Sequence, residues 1–275
     1  MSHTRLAAVA GSFYPAESTA LSHLVQHYLN EPTSLATQPD SLPEQPPKAL
    51  IVPHAGYIYS GVVAAQAFRL LQPFRKRIHH VIVLGPVHRV AVRGLALPGA
   101  DAFSTPLGSV AIDAAAVQRI ESLPQVSTSV AAHAWEHSLE VQLPFLQTVL
   151  HDFTLLPLAV GDATPDEVAE VLERLWGEDD TLIVISSDLS HYLSYDQAKR
   201  SDSQTVARIL QFDHHISHHE ACGATPVNGL LELAQRHHLR AYLLDLRNSG
   251  DTEGDKDRVV GYSALAFYEA DHAQH

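Results

Sequence analysis

Three short apolar runs in this chain each close on a histidine. They read Ala49-Leu50-Ile51-Val52-Pro53-His54, Val81-Ile82-Val83-Leu84-Gly85-Pro86-Val87-His88, and Leu182-Ile183-Val184-Ile185-Ser186-Ser187-Asp188-Leu189-Ser190-His191. Runs this short and this continuously apolar, bounded by Gly, Pro or Ser, are the signature of strands buried on both faces in a parallel sheet. Stretches with helical spacing lie between them. The first, over 17–30, puts Leu21, Leu24, Val25 and Tyr28 on one face. Others are expected at 61–75, 113–122, 136–150, 164–177, 196–211 and 226–238, and further strands at 93–97, 108–111, 153–160, 240–246 and 259–269. Such alternation predicts an α/β fold with a mainly parallel or mixed central sheet flanked by helices. The Pro- and Ser-rich stretch 31–47 reads as a solvated loop, so one domain over residues 1–275 is expected.

Ligands of open α/β sheets bind beyond the carboxyl ends of the strands. His54, His88 and His191 therefore converge on one site, suited to holding a metal or to acid/base work. Gly56 and Gly61 flank Tyr57 just after the first run, which makes Tyr57 a candidate pocket residue. Asp188, three residues before His191, is placed to orient an imidazole. It is equally placed to cap the next turn. Asp251 lies in the Gly-rich acidic loop from Asn248 to Asp255. It could supply the carboxylate of a two-His, one-carboxylate iron site, or be a solvated turn.

His133-Ala134-Trp135-Glu136-His137 spells the inverted zinc-peptidase pattern. The helix is expected to start near Glu136, which leaves His133 outside it and removes the peptidase reading. Glu136 and His137 remain candidates for the same cleft. The lone Cys222 excludes an intramolecular disulfide and Cys-rich zinc sites, and reads as a buried structural thiol. The doublets His79-His80, His214-His215, His218-His219 and His237-His238 read as solvated.

A net charge of −13 argues against a nucleic-acid footprint, and no apolar run is long enough to span a bilayer. No signal-peptide core is evident, so a cytoplasmic location is expected.

The ordered motifs make a further statement. Gly11-Ser12-Phe13-Tyr14-Pro15, Pro53-His54-Ala55-Gly56-Tyr57, Tyr59-Ser60-Gly61, Gly85-Pro86-Val87-His88, Glu136-His137-Ser138-Leu139-Glu140-Val141-Gln142-Leu143-Pro144, Ser187-Asp188-Leu189-Ser190-His191-Tyr192, Cys222-Gly223 and Ser249-Gly250-Asp251 run nearly the whole chain. With them the chain resembles the Memo family, in particular its prokaryotic branch known as AmmeMemoRadiSam system protein B. That family is similar in fold to the LigB-like class III extradiol dioxygenases. The resemblance implies His54 and His88 as metal ligands and His191 as the acid/base group. In the human branch the remaining ligand position is a cysteine. The matching loop here carries none and offers Asp251 instead. Implied cofactors are Fe(II), with copper or zinc as alternatives, in redox or oxygen-dependent chemistry on a small substrate. Two other functions stay open. One is a non-catalytic peptide- or protein-binding module that works with a radical-SAM partner. The other is a metal-dependent hydrolase.

Overall fold

The computed structural model describes residues 3–31 and 42–270. Its elements run, in chain order, β1 (Thr4–Arg5), α1 (Ser18–Asn30), β2 (Ala49–Val52), α2 (Tyr57–Phe68), β3 (His80–Pro86), β4 (Leu95–Leu97), β5 (Ala102–Thr105) and β6 (Gly108–Ala111). Next come α3 (Ala114–Ile120), β7 (Val126–Thr128), α4 (Val130–Ala134), α5 (Leu143–Val149), β8 (Thr154–Val160), α6 (Pro165–Leu175) and β9 (Thr181–Ser186). The last are β10 (His191–Leu193), α7 (Tyr195–Leu210), α8 (Ala224–Arg236), β11 (Arg240–Asn248) and β12 (Val259–Tyr268).

Nine strands form the main sheet, in the order β10-β12-β2-β9-β3-β8-β4-β7, with β11 also paired to β12. Its centre, β2-β9-β3-β8, is parallel. Antiparallel β12 flanks it on one side and antiparallel β4 on the other. The sheet is thus mixed, with a parallel heart. Strand side chains alternate between faces. Leu50, Val52, Val83 and Val184 enter one core, with residues of α1, α2 and α5. Ala49, Ile51, Ile82 and Ile185 enter the other, with residues of α6 and α8. Burial on both faces is the reason these strands read as unbroken apolar runs.

The α6 start is fixed by a reciprocal cap. The Glu167 amide donates to the Thr164 hydroxyl, and the Thr164 amide donates to the Glu167 carboxylate. Elsewhere the boundaries shift. The helix expected at 61–75 begins at Tyr57, ends at Phe68 and continues as a 3-10 turn over Arg69–Phe74, with Pro73 inside it. Expected at 136–150, the next helix begins only at Leu143, behind a 3-10 turn at Glu140–Gln142. Most of the polar stretch 31–47 lies outside the described residues. A separate sheet in the order β1-β5-β6 was not anticipated, nor were β7 and β10. Several of the doublet histidines have partners, among them His79, His80, His215, His218 and His237. His80 Nδ1 lies 2.6 Å from Asp113, and His237 stacks on Trp176 at 4.0 Å. Among the described residues no helix is long and apolar enough to cross a membrane.

Candidate metal centre

β2, β9 and β3 lie side by side and point the same way. The residues just past their carboxyl ends therefore meet. His54 follows β2, Asp188 follows β9 and His88 follows β3. The ring centroids of His54 and His88 are 5.2 Å apart, and His137 closes a triangle at 5.4 and 4.5 Å from them.

The hydrogen bonds behind His54 fix which nitrogen faces the cluster. Ser186 Oγ donates its single proton to the Ser138 carbonyl at 2.6 Å. It therefore accepts from Gln142 Nε2 at 2.8 Å and from His54 Nδ1 at 2.9 Å. Nδ1 carries the proton, and Nε2 presents a bare lone pair. That lone pair meets Cys222 Sγ at 3.2 Å. Burial, reinforced by His88, pushes the His54 imidazolium down to about 3, so the ring is neutral. Burial, with Asp188 nearby, pushes the Cys222 thiol up to about 12.

His88 is held by a carboxylate. Its Nδ1 lies 2.9 Å from Glu136 Oε1, and its amide donates to Oε2 at 2.7 Å. Glu136 also accepts the amides of His137 and Ser138, at 2.8 and 2.9 Å. Burial acts to raise Glu136, but the His88 ring and these amides outweigh it and hold the carboxyl at about 2. An ionised carboxylate only accepts, so His88 also carries its proton on Nδ1 and turns Nε2 to the cluster. The close approach of β3 that this requires depends on Gly85, where a Cβ would stand 2.7 Å from Ser138 Oγ.

Ligand atoms of His54, His88 and Cys222 all lie within 4.8 Å of one another. Two imidazole nitrogens and a sulfur make a donor set that fits a transition metal. Cys222, expected as a buried structural thiol, stands half-buried among these ligand atoms. It reaches the site because Gly223 passes so near β9 that a Cβ would sit 2.7 Å from that of Ser187. The Asp188 amide donates to its sulfur at 3.3 Å. A cysteine followed at once by glycine was the only sequence signal.

Asp251 is not brought here. Its carboxylate accepts the Tyr195 hydroxyl at 2.5 Å and the Asn248 amide at 3.0 Å. It caps the turn after β11 and lines a different cavity with Lys199 and Arg247. Tyr57 is also corrected. It is buried between Tyr14 and Phe145, with its hydroxyl donated to the Val141 carbonyl, and Tyr59 lines the cavity in its place. Asp188 does not orient the His191 ring by a hydrogen bond. Its Oδ1 accepts the His54 amide at 2.7 Å, so it positions the ligand loop. Asp188 and His191 do share one cavity of about 530 Å³, walled by Phe13, Tyr59, Arg258 and Tyr262. His133 ends up on α4, with its Nε2 bonded to the Ala96 carbonyl. His137 lies beyond that helix, which confirms that the peptidase geometry is not built.

The buried His54 and His133 and the half-buried His137 carry a stability consequence. Burial pushes His133 and His137 down to about 4 and His54 to about 3, all from 6.5. A lowered histidine leaves the unfolded state binding more protons, so stability is full above about pH 6.5 and falls as pH drops toward 4. Each such group contributes up to roughly 1.4 kcal/mol per pH unit in that window. Urea melts of the metal-free protein at pH 7.5 and 5 are expected to show this loss, and His133→Gln should remove part of it, leaving the share of His54 and His137. A pH-independent midpoint would contradict the burial of neutral rings.

A family model described as Memo-like protein matches residues 5–266. A MEMO1 family protein of Metallosphaera sedula is 36% identical over 96% of this chain and 99% of its own length. Its counterpart from Aquifex aeolicus is 35% identical, covering 94% of this chain and 97% of its own. A solved structure of an uncharacterized protein from Escherichia coli K12 shares the fold, with a TM-score of 0.51 at 14% identity. It covers 79% of this chain and 98% of that one.

Proposed function

We propose that this chain, which belongs to the Memo family, is a metalloprotein that works on a small substrate beside a His54–His88–Cys222 centre. The observation that carries the reading is the 3.2 Å approach of Cys222 Sγ to the unprotonated Nε2 of His54. Thiolate with two imidazoles suits copper, iron or zinc better than a hard, oxygen-seeking ion. Bound iron or copper would supply one-electron chemistry, and this is the reading we favour over hydrolysis.

The chain's own residues supply the rest. Ser186, Gln142 and Glu136 hold the two imidazoles in the ligating tautomer. His54 is 2% exposed, so water is kept from that side of the centre. His191, half-buried on β10 and on the cavity wall, moves a proton to or from the substrate. Asp188 holds the His54 loop. Phe13, Tyr59 and Tyr262 give the cavity aromatic walls, and Arg258 gives it a positive charge.

Anaerobic loading with Fe(II) or Cu(I), followed by elemental analysis, tests the reading. One ion per chain is expected. Glu136→Ala should weaken affinity by about 10–100-fold, because His88 then loses its tautomer lock. His191→Gln should leave the stoichiometry unchanged while removing redox turnover. Wild-type affinity in Glu136→Ala, or loss of metal in His191→Gln, would contradict the assignment.

A further inference from the structure

Acid/base work needs an imidazole held in place. Among the described residues, however, no hydrogen bond reaches the His191 ring. Its aromatic contact is an edge-on approach to Tyr192, with 5.9 Å between centroids. The ring is therefore placed by its backbone, and that backbone is irregular. β10 pairs with β12 through His191 and Val260, and the register slips between His191 and Leu193. Tyr192 sits at φ 59°, a left-handed conformation that bulky side chains avoid. Such a conformation persists only where its surroundings over-determine it.

Asp202 supplies that hold. The buried face of α7 carries Ala198, Asp202, Thr205, Val206 and Ile209, and Asp202 is its one ionisable group. It is 2% exposed. A buried carboxylate costs several kcal/mol unless its oxygens are bonded, and an apolar residue would pack here without that cost. Asp202 Oδ1 accepts the Ser190 amide at 3.0 Å. The Ser190 carbonyl accepts the Gly261 amide at 2.9 Å, and the Gly261 carbonyl accepts the Leu189 amide at 2.8 Å. The residue before His191 is thus gripped from both sides. Gly261 lets the α7 carboxylate come this close to β12, because a Cβ there would overlap it. Among the described residues no other side chain bonds the backbone of 189–193. Burial raises the Asp202 carboxyl, while Ser190 and then His191 act to lower it, so the carboxyl lies within electrostatic reach of that histidine.

We infer that Asp202 is the positioning residue of His191: through the Ser190 amide it fixes where the imidazole stands on the substrate cavity. The inference rests on the reading of His191 as the group that moves a proton there. α7 is then the rigid support of the acid/base side of the site, as Glu136 is the support of His88 on the metal side.

NMR of the metal-free full chain with isotope-labelled histidine tests this, the His191 ring signal being identified by its loss in His191→Gln. Asp202→Ala is expected to displace or split that signal and leave the His54 ring signal in place. Exchange of the Ser190 amide should quicken by about 10–100-fold, the loss of one charge-assisted hydrogen bond. Asp202→Asn keeps an oxygen that accepts the same amide, so both readouts should return to wild type. Gly261→Ala, which pushes the carboxylate away, should displace the His191 signal as Asp202→Ala does. An unmoved His191 ring in Asp202→Ala overturns the inference, as it does in Gly261→Ala should the first variant not fold. So does a displaced ring in Asp202→Asn, or an equal displacement of the His54 ring in Asp202→Ala. Redox turnover retained in His191→Gln would instead sink the proton-moving role and leave these signals as they are.

Discussion

Cys222→Ser is expected to lower affinity for Cu(I) or Fe(II) by ~100-fold or more, beyond what loss of a supporting hydrogen bond costs. Asp251→Asn is expected to change nothing measurable. The contrast follows from what each side chain faces. Cys222 Sγ stands 3.2 Å from a bare imidazole nitrogen. Its thiol is held protonated by burial, so binding the ion must release that proton, and affinity should rise with pH. A serine hydroxyl does not ionise in this way and offers a harder, weaker donor. Asp251 already accepts from Tyr195 and Asn248 and lines another cavity. Competition titration with a chromophoric chelator reads both variants. Equal affinities for wild type and Cys222→Ser, or a collapse in Asp251→Asn, would reverse the assignment.

Glu140→Ala should be the most destabilising single change near the site, by about 3–5 kcal/mol. Glu140 is fully buried and pairs with the equally buried Arg5. It also accepts the amides of Ala8 and Val9, at 2.8 and 3.0 Å, and the Tyr14 hydroxyl at 2.5 Å. Arg5 in turn donates to the carbonyls of His133 and Glu136. This cluster ties the N-terminal segment to the 136–142 segment that carries Glu136 and Gln142. Removing Glu140 leaves a guanidinium, two amides and a hydroxyl buried without their acceptor. A fall in melting temperature of roughly 10 °C is expected from the size scaling. Metal affinity should drop with it, because Glu136 loses its support. A melting temperature within about 2 °C of wild type would show that the cluster does not hold this segment.

Legibility in the sequence followed the origin of each feature. β2, β3 and β9 lie within a residue of their expected positions, because burial on both faces leaves an unbroken apolar run. That their exits converge follows from parallel order, which is why His54, His88 and His191 were expected at one site; Asp188, expected to orient His191, instead accepts the His54 amide. Cys222 was not expected there. It lies 34 residues from Asp188, in the loop before α8, and only tertiary packing of Gly223 against Ser187 brings it in. Asp251 misled because a Gly-rich acidic loop after a strand looks like a ligand loop, while its carboxylate serves the turn itself. The late start of α5 has a similar cause. Glu136 spends its carboxylate on three amides and the His88 ring, and this holds residues 136–139 out of a helix. Helical spacing carries no trace of such a demand.

X-ray absorption at the metal edge of the anaerobically loaded protein tests the centre most directly. The account predicts one sulfur scatterer at about 2.3 Å, the usual metal–thiolate distance, together with imidazole scattering from two histidines. The sulfur shell should vanish in Cys222→Ser. A first shell of nitrogen and oxygen alone in the wild-type protein would contradict it.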